Sequence, residues 1–274
     1  MPEKRPDTVI RRVAVVLGAS GSGKHLLDTL RPLLGKDTET DLLGVFVEDE
    51  KLQNAIALPC VKEVCRLTLS IREVHGSQIE RTIALRTRTA RKAVAELARR
   101  MGINHSFLNV RGSTLNCLRD TAHTADITVF EPKSVLASRP VLTPARARHP
   151  RRRIVVAVND LAAGTRALIA AASLAEGRMS RISILLGAAD PGIQNSLQRM
   201  IAKVLPSAPA RILLLSKAEL KYLIAAASTE DMEMLVLGTS EEVLQSESLR
   251  SMLEQLRCPV FLVRRWEGNA DSLI

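Results

Sequence analysis

The amino-acid sequence predicts an α/β protein made of two similar units in tandem, each a mostly parallel five-stranded sheet flanked by helices. Three observations lead there. Short apolar runs alternate with segments of helical period along the whole chain, the pattern of a parallel sheet covered on both faces. Two of those runs open alike, Arg11-Arg12-Val13-Ala14-Val15-Val16-Leu17 and Arg152-Arg153-Ile154-Val155-Val156-Ala157-Val158. Placing Arg12 on Arg153 also places Gly23 on Gly164 and Leu27 on Leu168 without a gap, the self-similarity expected of an internal repeat.

The elements follow in order. The first strand ends at Leu17, and Leu26, Leu27, Leu30, Leu33 and Leu34 then form one apolar helical face. Asp41 to Val47 reads as a second strand. A long helical region is expected from about Leu58 to Met101, with a seam at Ile83, Thr87, Ala90, Val94, Leu97 and Met101, and Gly102 as its stop. Arg86, Arg88, Arg91, Lys92, Arg99 and Arg100 fall mainly on its other faces and read as a solvated surface. Strands are expected near Ser106–Val110 and Ile127–Phe130, with a short helix carrying Leu115, Leu118 and Ala122 between them. The second unit repeats the plan more tightly. Its first helix has Leu168, Ala171, Ala172 and Ala175 on one face. Strands at 182–186, 212–215, 234–237 and 260–263 alternate with helices at 193–204, 220–227 and 249–256.

Composition sets the limits. The 274 residues suffice for one large domain or two ordinary ones, and we expect units at 1–148 and 149–274. At 46% hydrophobic and 25% charged the chain can bury a core, but with 2% aromatics that core must come from Leu, Ile, Val and Ala. No apolar run is long enough to span a bilayer, and Met1 to Arg12 has no signal-peptide core, so a cytoplasmic location is expected and no membrane partner. Cys60, Cys65, Cys117 and Cys258 form no close pair and are expected to be reduced and mostly buried. His75, His105, His123 and His149 lack metal-ligand spacing, so no metal is expected. The net charge of +10 allows anionic partners. The stretch 143–153, with two prolines and five arginines, reads as a solvated linker. Near-absence of base-stacking aromatics argues against nucleic acid.

Three segments carry a family resemblance. Arg257-Cys258-Pro259-Val260-Phe261-Leu262-Val263-Arg264 resembles the closing strand of universal stress proteins. Ile154 to Asp160 is similar to their first strand. Met234-Leu235-Val236-Leu237-Gly238-Thr239-Ser240 resembles their fourth strand and its following glycine. The second half matches from end to end; the first half matches in order, with Arg139-Pro140-Val141-Leu142 as a shortened closing strand. The chain resembles a degenerate tandem universal stress protein. The resemblance implies two Rossmann-like units of the adenine nucleotide alpha hydrolase type, packed as an internal pseudo-dimer through closing strands near Val141 and Val260, with a further homodimer open to it. It also implies an adenine nucleotide, ATP among them, as the candidate ligand. The family's nucleotide pattern is incomplete here. The Asp that ends strand one falls on Gly18 and on Asn159, with Asp160 one residue late. In the loop after strand four, Gly238 is present, Glu241 holds the second glycine position, and Ser251-Met252 the final pair. Asn159, Asp160, Gly238, Thr239 and Ser240 are the second unit's candidate ligand residues. Glu131 follows the fourth strand of the first.

The sharpest local motif is Gly18-Ala19-Ser20-Gly21-Ser22-Gly23-Lys24-His25, between a strand and a helix. It fits the G-x4-G-K spacing of a phosphate loop, whose amides cradle phosphate while lysine neutralises charge. Gly18, Ser20, Gly21, Ser22, Gly23 and Lys24 are the candidate binding residues. His25 stands where a hydroxyl ligates magnesium in P-loop nucleotidases, and magnesium prefers oxygen ligands. The plainer reading is a strand-to-helix turn. Three functions are therefore weighed: a non-catalytic regulatory or ligand-sensing protein of the universal stress type, with an unidentified protein partner open to it; a divergent P-loop ATPase, with Asp160 as a loose acidic partner; and a basic adaptor for nucleic acid or protein. The first is preferred, with no catalytic residue assigned.

Overall fold

Val13 to Leu17 are five apolar residues in a row and all are buried, as a strand covered on both faces requires. They form β1 (Arg12–Gly18). The computed structural model describes residues 12–18, 23–35, 40–50, 54–55, 58, 62–64, 68–73, 76–131, 153–158, 160–187, 191–215, 219–228, 232–245, 247, 249–250, 255–256 and 258–265. The apolar face Leu26–Leu34 is buried as expected, but the helix α1 (Lys24–Thr29) is short. A single 3-10 turn, Arg31–Leu33, completes it. Pro32 cannot donate the hydrogen bond that would carry an α-helix further.

β2 (Asp41–Asp49) pairs parallel to β1. The helical region expected from Leu58 is instead, in its first part, an antiparallel hairpin of β3 (Lys62–Val64) and β4 (Ile71–Glu73). The β-branched residues Val64 and Ile71 sit directly opposite each other, and Leu69 takes a left-handed φ of 55° before the return strand. The long helix α2 (Gly76–Met101) then carries the expected seam, with Ile83, Ala90, Val94 and Leu97 buried, Thr87 and Met101 half-buried, and Ala98 buried beside them. It ends in a Schellman motif. Gly102, at φ 68°, donates to the Arg99 carbonyl, and the Ile103 amide reaches back to Ala98 at 3.1 Å. β5 (Asn104–Gly112), α3 (Thr114–Thr124) and β6 (Ile127–Phe130) follow.

The rest of the chain runs β7 (Arg153–Val158), α4 (Leu161–Leu174), β8 (Ile182–Gly187), α5 (Pro191–Val204), β9 (Arg211–Leu215), α6 (Leu220–Ser228), β10 (Met232–Thr239), α7 (Glu241–Gln245) and β11 (Val260–Arg264). These match the expected strands, the first helix of this half and the helices expected at 193–204 and 220–227; α7 was not singled out by the sequence pattern, and the middle of the helix expected at 249–256, residues 251–254, lies outside the described residues.

Among the described residues, nine strands form one continuous sheet in the order β5-β2-β1-β6-β11-β10-β7-β8-β9. Every ladder is parallel except β6–β11. The α/β class, a mostly parallel sheet flanked by helices, is the one expected, with the strands of both halves joined in one sheet rather than in two of five. Four of the sheet's strands lie on one side of the antiparallel joint and five on the other. The sheet corrects the expected joint. Val260 pairs with Phe130 and Val263 with Ile127, so β11 closes onto β6 directly. Arg139–Leu142 lies outside the described residues. The wholly buried strand Ile127–Phe130, apolar except for Thr128, is what β11 covers.

Strand residues alternate between two apolar layers. α1, α2, α4 and α5 cover one face, and α3, α6 and α7 the other. Both layers run unbroken across the joint, where α4 packs against the 3-10 turn. A buried polar cluster pins the same place. The Arg166 guanidinium, on α4, donates to the Asp126 carboxylate at 3.2 Å and to the Arg264 carbonyl at 2.9 Å. The Arg12 amide donates to the other Asp126 oxygen at 3.0 Å.

Candidate functional site

On each side of the joint the third, second, first and fourth strands lie in that spatial order. Connections leave the first strand in one direction and return on its other side, so a crevice opens at the carboxyl ends of the first and fourth strands, where open α/β sheets hold ligands. One crevice lies between β1 and β6, the other between β7 and β10. Because β6 and β11 are antiparallel, the two open at opposite edges of the sheet.

The glycine-rich motif stands at the first crevice. Gly18 ends β1 and is exposed. Ala19, Ser20, Gly21 and Ser22 lie outside the described residues. Gly23 caps α1 at φ 63° with no side-chain cap, and Lys24 and His25 are exposed on the first turn. Gly23 has a packing role as well. A Cβ there would sit 2.8 Å from Leu17 Cδ2. Its counterpart in the repeat alignment, Gly164, would drive a Cβ into Val158 Cγ1, and Val158 is the counterpart of Leu17. Both glycines let a helix approach the last apolar residue of the strand before it. Glu131, exposed, follows β6 on the other wall of the crevice.

At the second crevice the described candidate residues have structural duties. Asn159 lies outside the described residues. Asp160 is the N-cap of α4, its carboxylate accepting from the Ala163 amide at 2.8 Å. A Cβ on Gly238 would lie 2.7 Å from the Ala163 carbonyl carbon and oxygen, so α4 rests directly on β10. The Thr239 hydroxyl is buried and donates to the Val263 carbonyl at 3.2 Å, and the Ser240 carbonyl accepts from the Leu244 amide. The pairing of β7 with β10 brings Asp160, Gly238, Thr239 and Ser240 together, and each has a structural partner there. Nor can Asp160 serve the glycine-rich loop as an acidic partner. β6, β11 and β10 separate β7 from β1, and β7 runs the opposite way.

A third feature escaped the sequence reading. The carboxyl ends of β2 and β5 and the first half of α2 enclose an open groove of about 420 Å³. Glu48, Asn109 and Arg111 form one wall, and Ile83, Arg88 and Arg91 are among the residues of the other. Asn109 donates to Glu48 Oε1 at 2.7 Å, and Arg111 lies 3.6 Å from Oε2. The Arg91 guanidinium stacks over the Phe107 ring, 5.1 Å from its centroid. The available signal was the run of arginines on α2, but nothing in the sequence says that β5 ends beside them. Among the described residues no three of His, Cys, Asp and Glu gather as a metal site, and no helix is long and apolar enough to cross a membrane.

No family model matches the chain, and no curated protein does. Solved structures of similar outline include a universal stress protein from Archaeoglobus fulgidus, 12% identical, covering 93% of this chain and 97% of its own, with a TM-score of 0.49. Another is a functionally unknown protein from Pseudomonas aeruginosa PAO1, 12% identical, covering 94% of each chain, with a TM-score of 0.44. At these values no residue role passes from either to this chain.

Proposed function

We propose that the protein is a non-catalytic regulatory or ligand-sensing protein of the universal stress type, built from two units divided near residue 148, that holds an adenine nucleotide or other phosphate ligand at the first crevice. The observation that carries this is the difference between the two crevices. In the second, a cap, a helix resting on a strand and a buried hydroxyl bond engage Asp160, Gly238 and Thr239. At the first, a glycine-rich segment ending in an exposed lysine follows a strand at the switch point. Regulation rather than turnover is favoured because the lysine is followed by His25, not by a magnesium-ligating hydroxyl, and because Asp160 belongs to the other edge of the sheet. Fold likeness adds no chemistry to this.

The test is calorimetric titration with ATP, with and without magnesium, of the natural protein and of Lys24→Ala. We expect binding that weakens about tenfold or more in the variant, as loss of a charge-assisted phosphate contact does. No heat at millimolar ATP would reduce the loop to a turn. Hydrolysis that depends on Lys24 and magnesium would instead make the protein an ATPase.

A further inference from the structure

We propose that the groove between α2 and the ends of β2 and β5 is a second binding site, for a small phosphorylated polyol of the sugar-phosphate kind. It stands independently of the nucleotide reading, since none of its lining residues belongs to the glycine-rich motif.

The groove lies at the carboxyl edge of a parallel sheet, where loops and side chains of successive strands converge. Its volume of about 420 Å³ falls within the range of small-ligand sites. Three arginines and two glutamates line it. Arg111 lies close to Glu48 and offsets its charge. That leaves Arg88 and Arg91 facing the groove against Glu80, an excess of positive charge for an anionic head. The Arg88 side chain has no hydrogen-bond or ion-pair partner among the described residues.

Arg91 is held in place by packing. Gly44 in β2 has no side chain where a Cβ would lie 2.8 Å from the Phe107 ring and 2.9 Å from Val94. Phe107 therefore settles against the strand under α2, and its ring carries the Arg91 guanidinium. A stacked guanidinium keeps its edge free for the bidentate hydrogen bonds that suit phosphate. The same stacking covers the aromatic face that a nucleobase would need. The opposite wall suits hydroxyls. Glu48 is only 15% exposed and accepts from Asn109 on one oxygen. A carboxylate fixed in this way offers its remaining lone pairs to a ligand hydroxyl. Ile83 and Ala84 supply an apolar patch for the carbon skeleton.

The experiment is titration at fixed low salt with glucose 6-phosphate, glycerol 3-phosphate, inorganic phosphate and unphosphorylated glucose. We expect the two phosphate esters to bind more tightly than inorganic phosphate, and glucose not to bind. The double variant Arg88→Gln/Arg91→Gln changes surface charge without touching the core and should weaken binding at least about tenfold. Phe107→Leu should weaken it several-fold by freeing Arg91, with the melting temperature recorded for both. Lys24→Ala should leave it unchanged, so failure of the nucleotide site and of this one are distinguishable. No binding at millimolar ester, equal binding of inorganic phosphate and esters, or unchanged binding in the double variant would each overturn the proposal.

Discussion

Gly238 shows how a residue that resembles a ligand position can serve packing alone. Its missing side chain is the space the α4 backbone occupies, with Ala163 atoms 2.7 Å from where a Cβ would be. Backbone cannot rotate away as a side-chain end can, so Gly238→Ala should destabilise the protein by about 1–3 kcal/mol in urea unfolding, as overpacking does. Gly35→Ala is the control: no atom lies within 4 Å of its Cβ position, so the change should be neutral or stabilise by about 0.5 kcal/mol. Cys258 carries a pH signature. Burial pushes its thiol up to about 11 from an ordinary 9.0. Burial also raises Cys117, partly offset by its contact with the Thr121 hydroxyl. The folded chain thus keeps a proton on Cys258 that the unfolded chain has lost above pH 9. Its contribution to stability is intact below pH 9 and falls as pH rises towards about 11. The urea midpoint of the natural protein should therefore drop more steeply over that window than that of Cys258→Ala.

Among the elements, α4 begins where its sequence says it should. Asp160 in extended conformation accepts from Ala163 and satisfies an amide the helix leaves unpaired. Asp160→Ala should lower stability by about 1 kcal/mol, leaving any binding at the glycine-rich loop unchanged. The strands were legible for a physical reason. Runs such as Val13–Leu17 and Ile154–Val158 are buried on both faces, so every residue must be apolar and the signal is dense. The segment 62–73 was misread because the apolar residues described in this short hairpin, Val64, Leu69 and Ile71, are all exposed and set no period of burial. The candidate residues at the ends of β7 and β10 were found because the segments that contain them resemble strands of a known family. The structural duties of Gly238 and Thr239 were hidden because they depend on Ala163 and Val263, distant from them in sequence. The groove was hidden for the same reason, since it exists only once β5 lies beside β2.

For the whole molecule, the joint between β6 and β11 is the place where the two sides of the sheet depend on each other. Asp126 and Arg166, both buried, come from opposite sides of it, and the Arg264 amide donates to the Asp126 carbonyl at 2.9 Å. Removing one partner leaves a buried charge uncompensated. Asp126→Ala should cost about 3–5 kcal/mol, and Asp126→Ala/Arg166→Met should recover part of it. Because both apolar layers cross the joint, unfolding should be a single transition in the natural protein, and a second transition in the Asp126 variant would show the sides parting.

The reversal of strand direction at that joint also governs what the molecule can face. Its two crevices look out from opposite rims, as two doors on opposite walls of one room, so a single small ligand cannot touch both. The strand edges that could have received a second chain at the centre are occupied from within. Among the described residues the sheet's unpaired edges are those of β5 and β9, at its two extremes. A copy that joined edge to edge would therefore lengthen the sheet outward and leave the central joint, and the charge cluster that secures it, undisturbed.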